Sequence, residues 1–253
     1  MNNILITGAA SGIGAATARL FHARGWQVGL LDVDGVALAS LAAELGGAWH
    51  RALDVTDVAA ASEAIDAFCA LQQGRLRLLF NCAGILRTGA FEQIALQEHL
   101  RLVQINVQGL LTFTHLAFPY LKATADAQVL NMGSASGLYG VPLMASYSAS
   151  KFAVRGLSEA LELEWRAHGI RVGDLMPPFV DTPMVASQTQ RPPIIRRMGV
   201  RLLAEHIAEA AWQQAQVNRV HRPVGLQFRL LYGLGQITPA FITRALMAWL
   251  SRP

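Results

Sequence analysis

The sequence has little of what small secreted or metal-binding proteins use to hold themselves together. Only two of its 253 residues are cysteines, Cys69 and Cys82, and neither belongs to a Cys-x-x-Cys or a Cys/His metal-binding pattern. A disulfide framework or a bound metal is therefore not expected. Charged residues make up 15% of the chain and hydrophobic residues 53%, which excludes a disordered chain and favours a buried sheet covered by helices.

A membrane span and a signal peptide are also missing. The uncharged stretch 230–243 has 14 residues between Arg229 and Arg244 and is too short to cross a bilayer. The first three residues run directly into an apolar strand, without the basic and apolar segments of a signal peptide. We therefore expect a cytoplasmic protein.

Acidic residues are scarce at one end of the chain. Residues 1–183 carry 12 Lys/Arg against 15 Asp/Glu, whereas residues 184–253 carry nine arginines against Glu205 and Glu209. Such asymmetry can indicate an anionic partner. The arginines are dispersed, which favours an ordinary solvated surface. No aromatic residues alternate with them, so no nucleic-acid partner is expected.

Short apolar runs alternate with longer amphipathic stretches. The predicted strands are Ile4–Thr7, Val28–Asp32, Ala48–Leu53, Leu78–Asn81, Val129–Met132 and Val172–Met176. The predicted helices cover 12–24, 36–45, 57–72, 97–122 and 147–168. Strands that are apolar throughout are typical of a parallel sheet buried on both faces. The pattern predicts an α/β fold, a Rossmann-type doubly wound parallel sheet with helices on both faces.

The pattern changes after residue 177. Five prolines and a polar run, Ser187-Gln188-Thr189-Gln190, indicate a substrate-loop insertion near 178–202. A helix is predicted over 203–216, and 223–253 forms an apolar C-terminal extension. Because no linker or repeat divides the chain, we interpret 1–253 as a single domain.

A glycine-rich turn lies between the first predicted strand and the first predicted helix. Its sequence is Thr7-Gly8-Ala9-Ala10-Ser11-Gly12-Ile13-Gly14. Glycines there bring backbone N–H groups close to a pyrophosphate, and the helix N-terminus adds partial positive charge. Because a strand precedes it and a helix follows it, the turn predicts a dinucleotide-binding site.

Asp32 stands at the end of the second predicted strand, eighteen residues after Gly14. A carboxylate here can accept hydrogen bonds from both hydroxyls of an adenosine ribose and repels a 2′-phosphate. A 2′-phosphate is usually met by Arg or Lys, yet Ser11 precedes Gly12 and Val33 follows Asp32. These residues favour NAD(H) as cofactor, with NADP(H) as the less favoured alternative.

Tyr147 and Lys151 are four residues apart at the start of a predicted helix, so their side chains share one face. The ordinary pKa of a phenol, about 10, is too high for an efficient base near neutrality. An ammonium group one turn away stabilises the phenolate and lowers that pKa. Because Tyr-x-x-x-Lys occurs by chance in many helices, the pair indicates a catalytic site only together with the residues around it.

With these motifs the chain resembles a short-chain dehydrogenase/reductase over residues 3–183. The glycine turn and the Tyr147–Lys151 pair match that family's motifs. Its catalytic serine, 13 residues before the tyrosine, matches Ser134, whereas Ser136 has the wrong spacing. Its catalytic asparagine matches Asn106. Two further matches are Asn81-Cys82-Ala83-Gly84, for the family's Asn-Asn-Ala-Gly, and Asp54-Val55, for an acidic residue used near adenine.

The resemblance implies roles for these residues. Ser134 holds the substrate oxygen, Tyr147 gives or takes its proton, and Lys151 lowers the pKa of the tyrosine and bonds the nicotinamide ribose. Asn106 is expected to hold a water through its backbone carbonyl. The implied cofactor contacts come from Gly8, Ser11, Gly12, Ile13, Gly14, Asp32, Asp54, Val55, Asn81, Ala83, Gly84, Tyr147, Lys151, Pro177, Val180 and Thr182.

Two positions depart from the family. Its Pro-Gly after the sixth strand is Pro177-Pro178 here, which removes an N–H donor and stiffens the loop toward the nicotinamide. We still expect Val180 and Thr182 to contact the cofactor. The second departure, Cys82 in place of the family's second Asn, has a milder effect, because a small thiol packs well against a strand or cofactor.

The region after the sixth strand is apolar and rich in arginine. The candidate substrate-pocket residues are Met184, Val185, Ile194, Ile195, Met198, Phe228, Leu230, Leu231 and Tyr232, and the candidate anion contacts are Arg191, Arg196 and Arg197. The same apolar residues can instead pack helices together or form a subunit interface. The extension 223–253 is expected to be a lid or an interface, ahead of peripheral membrane contact. The resemblance implies a homodimer or homotetramer built through the helices at 97–122 and 147–168.

The sequence therefore predicts an NAD(H)-dependent oxidoreductase that interconverts a secondary alcohol and a ketone. The expected substrate is hydrophobic: a steroid, a long-chain alcohol or a 3-oxoacyl group. The alternative is a catalytically silent dinucleotide-sensing or scaffolding protein of the same fold. The presence of Ser134, Tyr147 and Lys151 counts against that alternative.

Overall fold

The computed structural model describes residues 2–188, 190, 192–200, 202–235 and 237–251, with only the backbone described for Arg196, Met198 and Ala240. Its centre is a seven-stranded sheet in which every strand pair is parallel. The strands of this sheet are β1 Asn3–Thr7, β2 Gln27–Asp32, β3 Trp49–Ala52, β4 Leu78–Asn81, β5 Gln128–Met132, β6 Arg171–Met176 and β9 His221–Pro223. A separate pair joins β7 Val180–Asp181 to β8 Leu202–Leu203. The predicted Rossmann-type fold is confirmed.

Helices cover both faces of this sheet. They are α1 Gly12–Ala23, α2 Gly35–Glu44, α3 Val58–Leu71, α4 Leu96–Val103, α5 Leu110–Lys122, α6 Ala145–Trp165, α7 Pro183–Ala186, α8 Pro193–Met198, α9 Ala204–Ala215, α10 Leu226–Gly235 and α11 Ala240–Leu250. The helix predicted over 97–122 is interrupted, because a π-helical segment, Gln104–Gly109, joins α4 to α5. Such segments insert a residue into the helical ladder and are frequent at functional sites.

Successive residues of each inner strand pack on opposite sides of the sheet. Ile4 and Ile6 face a core shared with α1, α2 and α9, whereas Leu5 faces a second core shared with α3 and α5. All three side chains are fully buried. This double burial is the physical reason that the central strands are apolar throughout. β3 lies at the sheet edge and instead alternates between half-buried and exposed residues.

The strand order β3-β2-β1-β4-β5-β6-β9 reverses direction between β1 and β4. In a parallel sheet of this kind the loops leaving the two central strands go to opposite faces, so a crevice opens beyond their carboxyl ends. The glycine turn follows β1 and the segment Cys82-Ala83-Gly84 follows β4, and both therefore border the crevice.

The glycine turn is packed tightly against the end of β4. The Thr7 hydroxyl oxygen accepts hydrogen bonds from the backbone N–H groups of Cys82 and Ala83, both at 3.1 Å. Gly8 has φ +70°, and a Cβ there would lie 2.7 Å from the Ala83 Cα. A Cβ at Gly14 would lie 2.0 Å from the Gly8 carbonyl oxygen, so both positions require glycine.

The seventh strand, β9, was not predicted. It has three residues and ends in Pro223 at the sheet edge, a composition that gives no strand pattern. A polar network, buried at Asp174 and exposed at Glu159, fixes it to the neighbouring elements. His221 bonds Asp174 of β6 through Nδ1 and Glu159 of α6 through Nε2, each at 2.9 Å. The Arg155 guanidinium donates to the same Glu159 carboxylate at 2.9 Å.

This network predicts a pH-dependent stability. Burial lowers the pKa of His221, but the hydrogen bonds and charges of Asp174 and Glu159 outweigh burial and raise it above its usual value. The stabilisation is therefore complete below about pH 6.5, the pKa of an unfolded histidine, and is lost as the pH rises through the higher folded-state value. Urea unfolding of the wild type should show this decline above pH 6.5. The decline should be absent from His221→Gln and present in the exposed control His22→Gln; a decline of equal size in His221→Gln would contradict the assignment.

The close approach at the glycine turn predicts a second stability effect. Gly14→Ala should lower the free energy of unfolding by about 3 kcal/mol, because the new methyl group would lie 2.0 Å from a backbone oxygen. Gly156→Ala on α6 is the matched control, since nothing lies within 4 Å of its Cβ position. That control should raise the free energy of unfolding by about 0.5–1 kcal/mol. Equal effects of the two substitutions in urea unfolding would contradict the tight packing of the turn.

Candidate active site

A cleft of about 300 Å³ occupies the crevice at the carboxyl edge of the sheet. Residues from both halves of the sheet line it. The sequence-predicted site residues among them are Gly8, Ser11, Gly12, Ile13, Gly14, Asp32, Asp54, Val55, Ala83, Gly84, Ser134, Tyr147, Lys151, Pro177, Val180 and Thr182. Two predicted site residues, Asn81 and Asn106, do not line the cleft.

One end of the cleft is formed by the start of α1 and the end of β2. The helix begins at Gly12, so its N-terminal N–H groups border the cleft. The Asp32 carboxylate is held in place by two backbone donors, Ala10 N–H at 2.9 Å and Asp34 N–H at 3.0 Å. These bonds hold the carboxylate at the cleft edge.

Beside Asp32 lies an ion pair that the sequence did not predict. Arg101 of α4 lines the cleft and donates to the Asp54 carboxylate and, at 3.1 Å, to the Thr56 hydroxyl. Burial raises the pKa of Asp54, but hydrogen bonds from Thr56 and Arg101 outweigh burial and hold it below its usual value. Arg101 gives no sequence signal, because its partner is 47 residues away and only the fold brings them together.

At the other end, Tyr147 and Lys151 lie one turn apart on α6. The buried Lys151 ammonium donates to the Met132 carbonyl at the end of β5, at 2.7 Å. Its Nζ lies 5.4 Å from the centre of the Tyr147 ring. The Met132 contact ties α6 to the carboxyl edge of the sheet.

Burial dominates the titration of both groups. It raises the pKa of Tyr147 to about 12, and a hydrogen bond with Ser134 acts in the opposite direction. Burial lowers the pKa of Lys151 to about 8, and the charge of Asp174 acts in the opposite direction. The pKa of the Cys82 thiol is also raised to about 12 by burial, so this thiol stays neutral. In this environment Tyr147 carries its proton at neutral pH.

Both candidate serines line the cleft. Ser134 precedes a short 3-10 turn, and its hydroxyl oxygen accepts the Ser136 N–H at 3.1 Å. Of the two serines, Ser134 is the one whose hydroxyl lowers the pKa of the Tyr147 phenol, against the larger effect of burial.

The two predicted asparagines support the cleft from behind. The Asn106 amide clamps the backbone of Ile85, donating to its carbonyl at 3.0 Å and accepting its N–H at 2.8 Å. The Asn81 amide points away from the cleft and donates to Thr114 and Asn131, both at 2.9 Å. The Asn81 side chain therefore does not line the cleft, and the cofactor contact expected of Asn81 stays a prediction. β4 directs that side chain toward α5, on the far side of the sheet from the turn.

The Pro177-Pro178 segment does not prevent the next loop from reaching the glycine turn. The Pro177 carbonyl accepts the Ala135 N–H at 2.8 Å, next to Ser134. Further along, the Thr182 side chain lies 3.5 Å from the Cβ position of Gly12. This loop therefore borders both ends of the cleft.

The substrate end of the cleft is apolar. Residues missed by the sequence form much of it: Leu86, Tyr139, Val141, Met144 and Phe179. Of the predicted residues, Met184, Val185 and Ile194 line it. Phe228 instead packs beneath it, and Leu230 and Leu231 are exposed.

Arg197, the predicted arginine contact whose side chain is described, does not reach this end. Arg197 is exposed and donates to the Trp249 carbonyl at 2.6 Å, outside the cleft. Arg191 and the side chains of Arg196 and Met198 lie outside the described residues.

Comparison with known proteins gives a consistent picture. The family model described as short chain dehydrogenase matches residues 2–193. D-threitol dehydrogenase of Mycolicibacterium smegmatis is 35% identical over 184 residues, 71% of this chain and 70% of that protein. The 3-alpha-(or 20-beta)-hydroxysteroid dehydrogenase of Mycobacterium bovis is 36% identical over 183 residues, 71% of this chain and 69% of that protein.

A solved structure extends the match to more of the chain. The 3-ketoacyl-(acyl-carrier-protein) reductase of Brucella melitensis, crystallised with NADH, superposes with a TM-score of 0.79 at 29% identity and covers 88% of this chain and 96% of its own. The chain belongs to the short-chain dehydrogenase family and is an oxidoreductase that acts on CH–OH groups.

Proposed function

We propose that this protein interconverts a secondary alcohol and a ketone with NAD(H), using Tyr147 as the acid/base. The observation that carries the proposal is the shared cleft. Ser134, Tyr147 and Lys151 line one end, and the glycine turn and Asp32 line the other. A dinucleotide lying along this cleft would bring its nicotinamide ring beside Tyr147.

The residues of the cleft fit a dinucleotide without a 2′-phosphate. Gly8 and Gly14 let the backbone of the turn pack closely against Ala83 and against itself, next to the N-terminus of α1. The basic side chains among the described cleft residues are Lys151 and Arg101, and Arg101 is paired with Asp54. A 2′-phosphate bound at the Asp32 end of the cleft would therefore meet a carboxylate. Among the described residues at that end it would meet no unpaired cation. NADH in the related reductase structure also supports NAD(H).

The side chains suggest a division of labour. The nicotinamide, when bound, supplies or accepts the hydride. Ser134 donates a hydrogen bond to the substrate oxygen, and Tyr147 transfers the proton. Because burial raises the pKa of Tyr147 to about 12, the phenol is ready to protonate a carbonyl oxygen in the reductive direction. For alcohol oxidation, Lys151 and the positive charge of an oxidised nicotinamide both stabilise the phenolate.

The substrate that fits the cleft best is hydrophobic. The substrate end of the cleft is lined by Leu86, Val141, Met144 and Ile194. These residues belong to an apolar cluster that also contains Tyr147. The names of the relatives include a sugar alcohol, a steroid and an acyl-carrier substrate, so they do not decide the class. The apolar lining favours a steroid, a long-chain alcohol or a 3-oxoacyl group over a polyol.

We also propose that the protein forms a homo-oligomer through α4, α5 and α6. These helices expose several large apolar side chains: Leu96, Leu100, Val103, Leu111, Phe152 and Leu163. Such a surface is typical of an association interface.

The role of Tyr147 is tested by a single-atom change. Tyr147→Phe should lower kcat for ketone reduction by at least about 10²-fold, because the proton donor is lost. NADH binding, followed by fluorescence titration, should stay within twofold. Tyr120→Phe, on α5 and outside the cleft, should leave both unchanged. Unchanged turnover in Tyr147→Phe would contradict the mechanism.

The role of Asp32 is tested by removing its charge. Asp32→Asn should shift the ratio of kcat/KM for NADH over NADPH toward NADPH by about tenfold, because a like-charge contact with the 2′-phosphate disappears. Asp34→Asn is the control, since Asp34 caps α2 and asparagine caps equally well. A wild type that already prefers NADPH would contradict the cofactor assignment.

A further inference from the structure

The two C-terminal helices are apolar on two opposite sides. On the inner side, Phe228 of α10 and Met247 of α11 are buried. The outer side carries six large apolar side chains that are each more than half exposed, and we call them the C-terminal face: Leu226, Leu230, Leu234, Ile237, Phe241 and Trp249. Several large exposed apolar side chains on adjoining helices indicate an interaction surface.

The six residues belong to one side of the molecule. Leu226, Leu230 and Leu234 recur every four residues and therefore share one side of α10. The inner sides of both helices pack into clusters that include Tyr139, so α10 and α11 lie over the same part of the protein. Single exposed apolar residues are common on protein surfaces, but six within 24 residues of chain form an interaction surface.

The charged residues of α10 and α11 themselves have one sign. No aspartate or glutamate follows Glu209 in the sequence, whereas Arg229 and Arg244 are exposed on the same two helices. The Arg197 guanidinium lies 5.7 Å from the Trp249 ring centre, at the end of α11. The partner must therefore be both apolar and anionic.

We propose that the C-terminal face docks on the surface of an anionic lipid bilayer. Hydrocarbon would accept the apolar side chains, and headgroup phosphates would meet the arginines. A symmetric contact with a second copy would bring the same arginines together with no carboxylate from this region to balance them. Among the described residues no helix is long and apolar enough to cross a membrane, so α10 and α11 would lie in the interface.

The docked helix also packs against apolar residues that line the substrate end of the cleft. Met247 and Leu250 of α11 pack into the cluster that contains Ile194, Met144 and Tyr147. One side of α11 therefore contacts the apolar cluster that contains Tyr147, while the other side carries Phe241 and Trp249. The docking proposal does not depend on the substrate or on catalysis, since it concerns the outer side alone.

Vesicle flotation tests the proposal directly. The full-length protein should float with vesicles of phosphatidylcholine and phosphatidylglycerol, should bind at least tenfold less to phosphatidylcholine alone, and should be released by high salt. Protein that stays in the bottom fraction with both vesicle types would overturn the proposal. So would binding that is equal for the two vesicle types, because the arginines would then contribute nothing.

Variants locate the binding surface. Leu230→Gln and Phe241→Gln should each weaken binding to the anionic vesicles about tenfold or more, because each removes one large apolar side chain from the lipid contact. Leu71→Gln on α3 is the matched control, since Leu71 is 63% exposed and Leu230 is 64% exposed. NADH binding reports whether each variant is folded. Equal weakening by the control, or dissociation of an oligomer by the two variants without loss of vesicle binding, would overturn the assignment of this face.

The fluorescence of Trp249 gives a second test of the proposed lipid contact, on the wild-type protein. It is the one exposed residue among the five tryptophans. Brominated lipid in the anionic vesicles should quench wild-type fluorescence, and the quenching should fall by more than half in Trp249→Phe. Equal quenching in both proteins would overturn the proposal, because the contact would then lie elsewhere.

Discussion

The cleft depends on one contact, the packing of the glycine turn against the end of β4. Thr7 accepts two backbone N–H groups from that strand end at 3.1 Å each, and Gly8 leaves no room for a Cβ against Ala83. Because the loops beyond this contact go to opposite faces of the sheet, the crevice opens there. The same contact positions the N-terminus of α1 at the place where a pyrophosphate would bind.

A second contact brings the chemistry to the same edge. Lys151 donates to the Met132 carbonyl at the end of β5, two strands away from the glycine turn. Without that acceptor the ammonium would be buried with its charge unsatisfied, a cost that favours its deprotonation. The hydrogen bond therefore fixes α6, and with it Tyr147, relative to the cleft. Burial then keeps the phenol protonated, with Ser134 beside it.

Much of the fold could be predicted because the central strands are buried on both faces and their sequences are correspondingly apolar. Strand β9 could not be predicted, because it has no strand pattern. The hydrogen bond between His221 and the buried Asp174 fixes it to the sheet. At the site, motif spacing gave the position of Asn81 but not the direction of its side chain. Arg101 and Asp54 are far apart in sequence, so only the fold joins them. The tail's hydrophobicity predicted a lid or an interface, whereas its two-sided distribution required the structure.

In the reaction that we propose, the cleft transfers a hydride from NADH to an apolar ketone, and Tyr147 supplies the proton. The most direct measurement uses NADH deuterated at the transferring position of C4, with a panel of steroid, aliphatic and acyl-thioester ketones, and follows the alcohol product by mass spectrometry. We expect deuterium on the carbinol carbon of at least one product with the wild type, and an initial rate of deuterium transfer at least about 10²-fold lower with Tyr147→Phe. Equal deuterium transfer by the two proteins, or a wild type that fails to bind NADH, would contradict it.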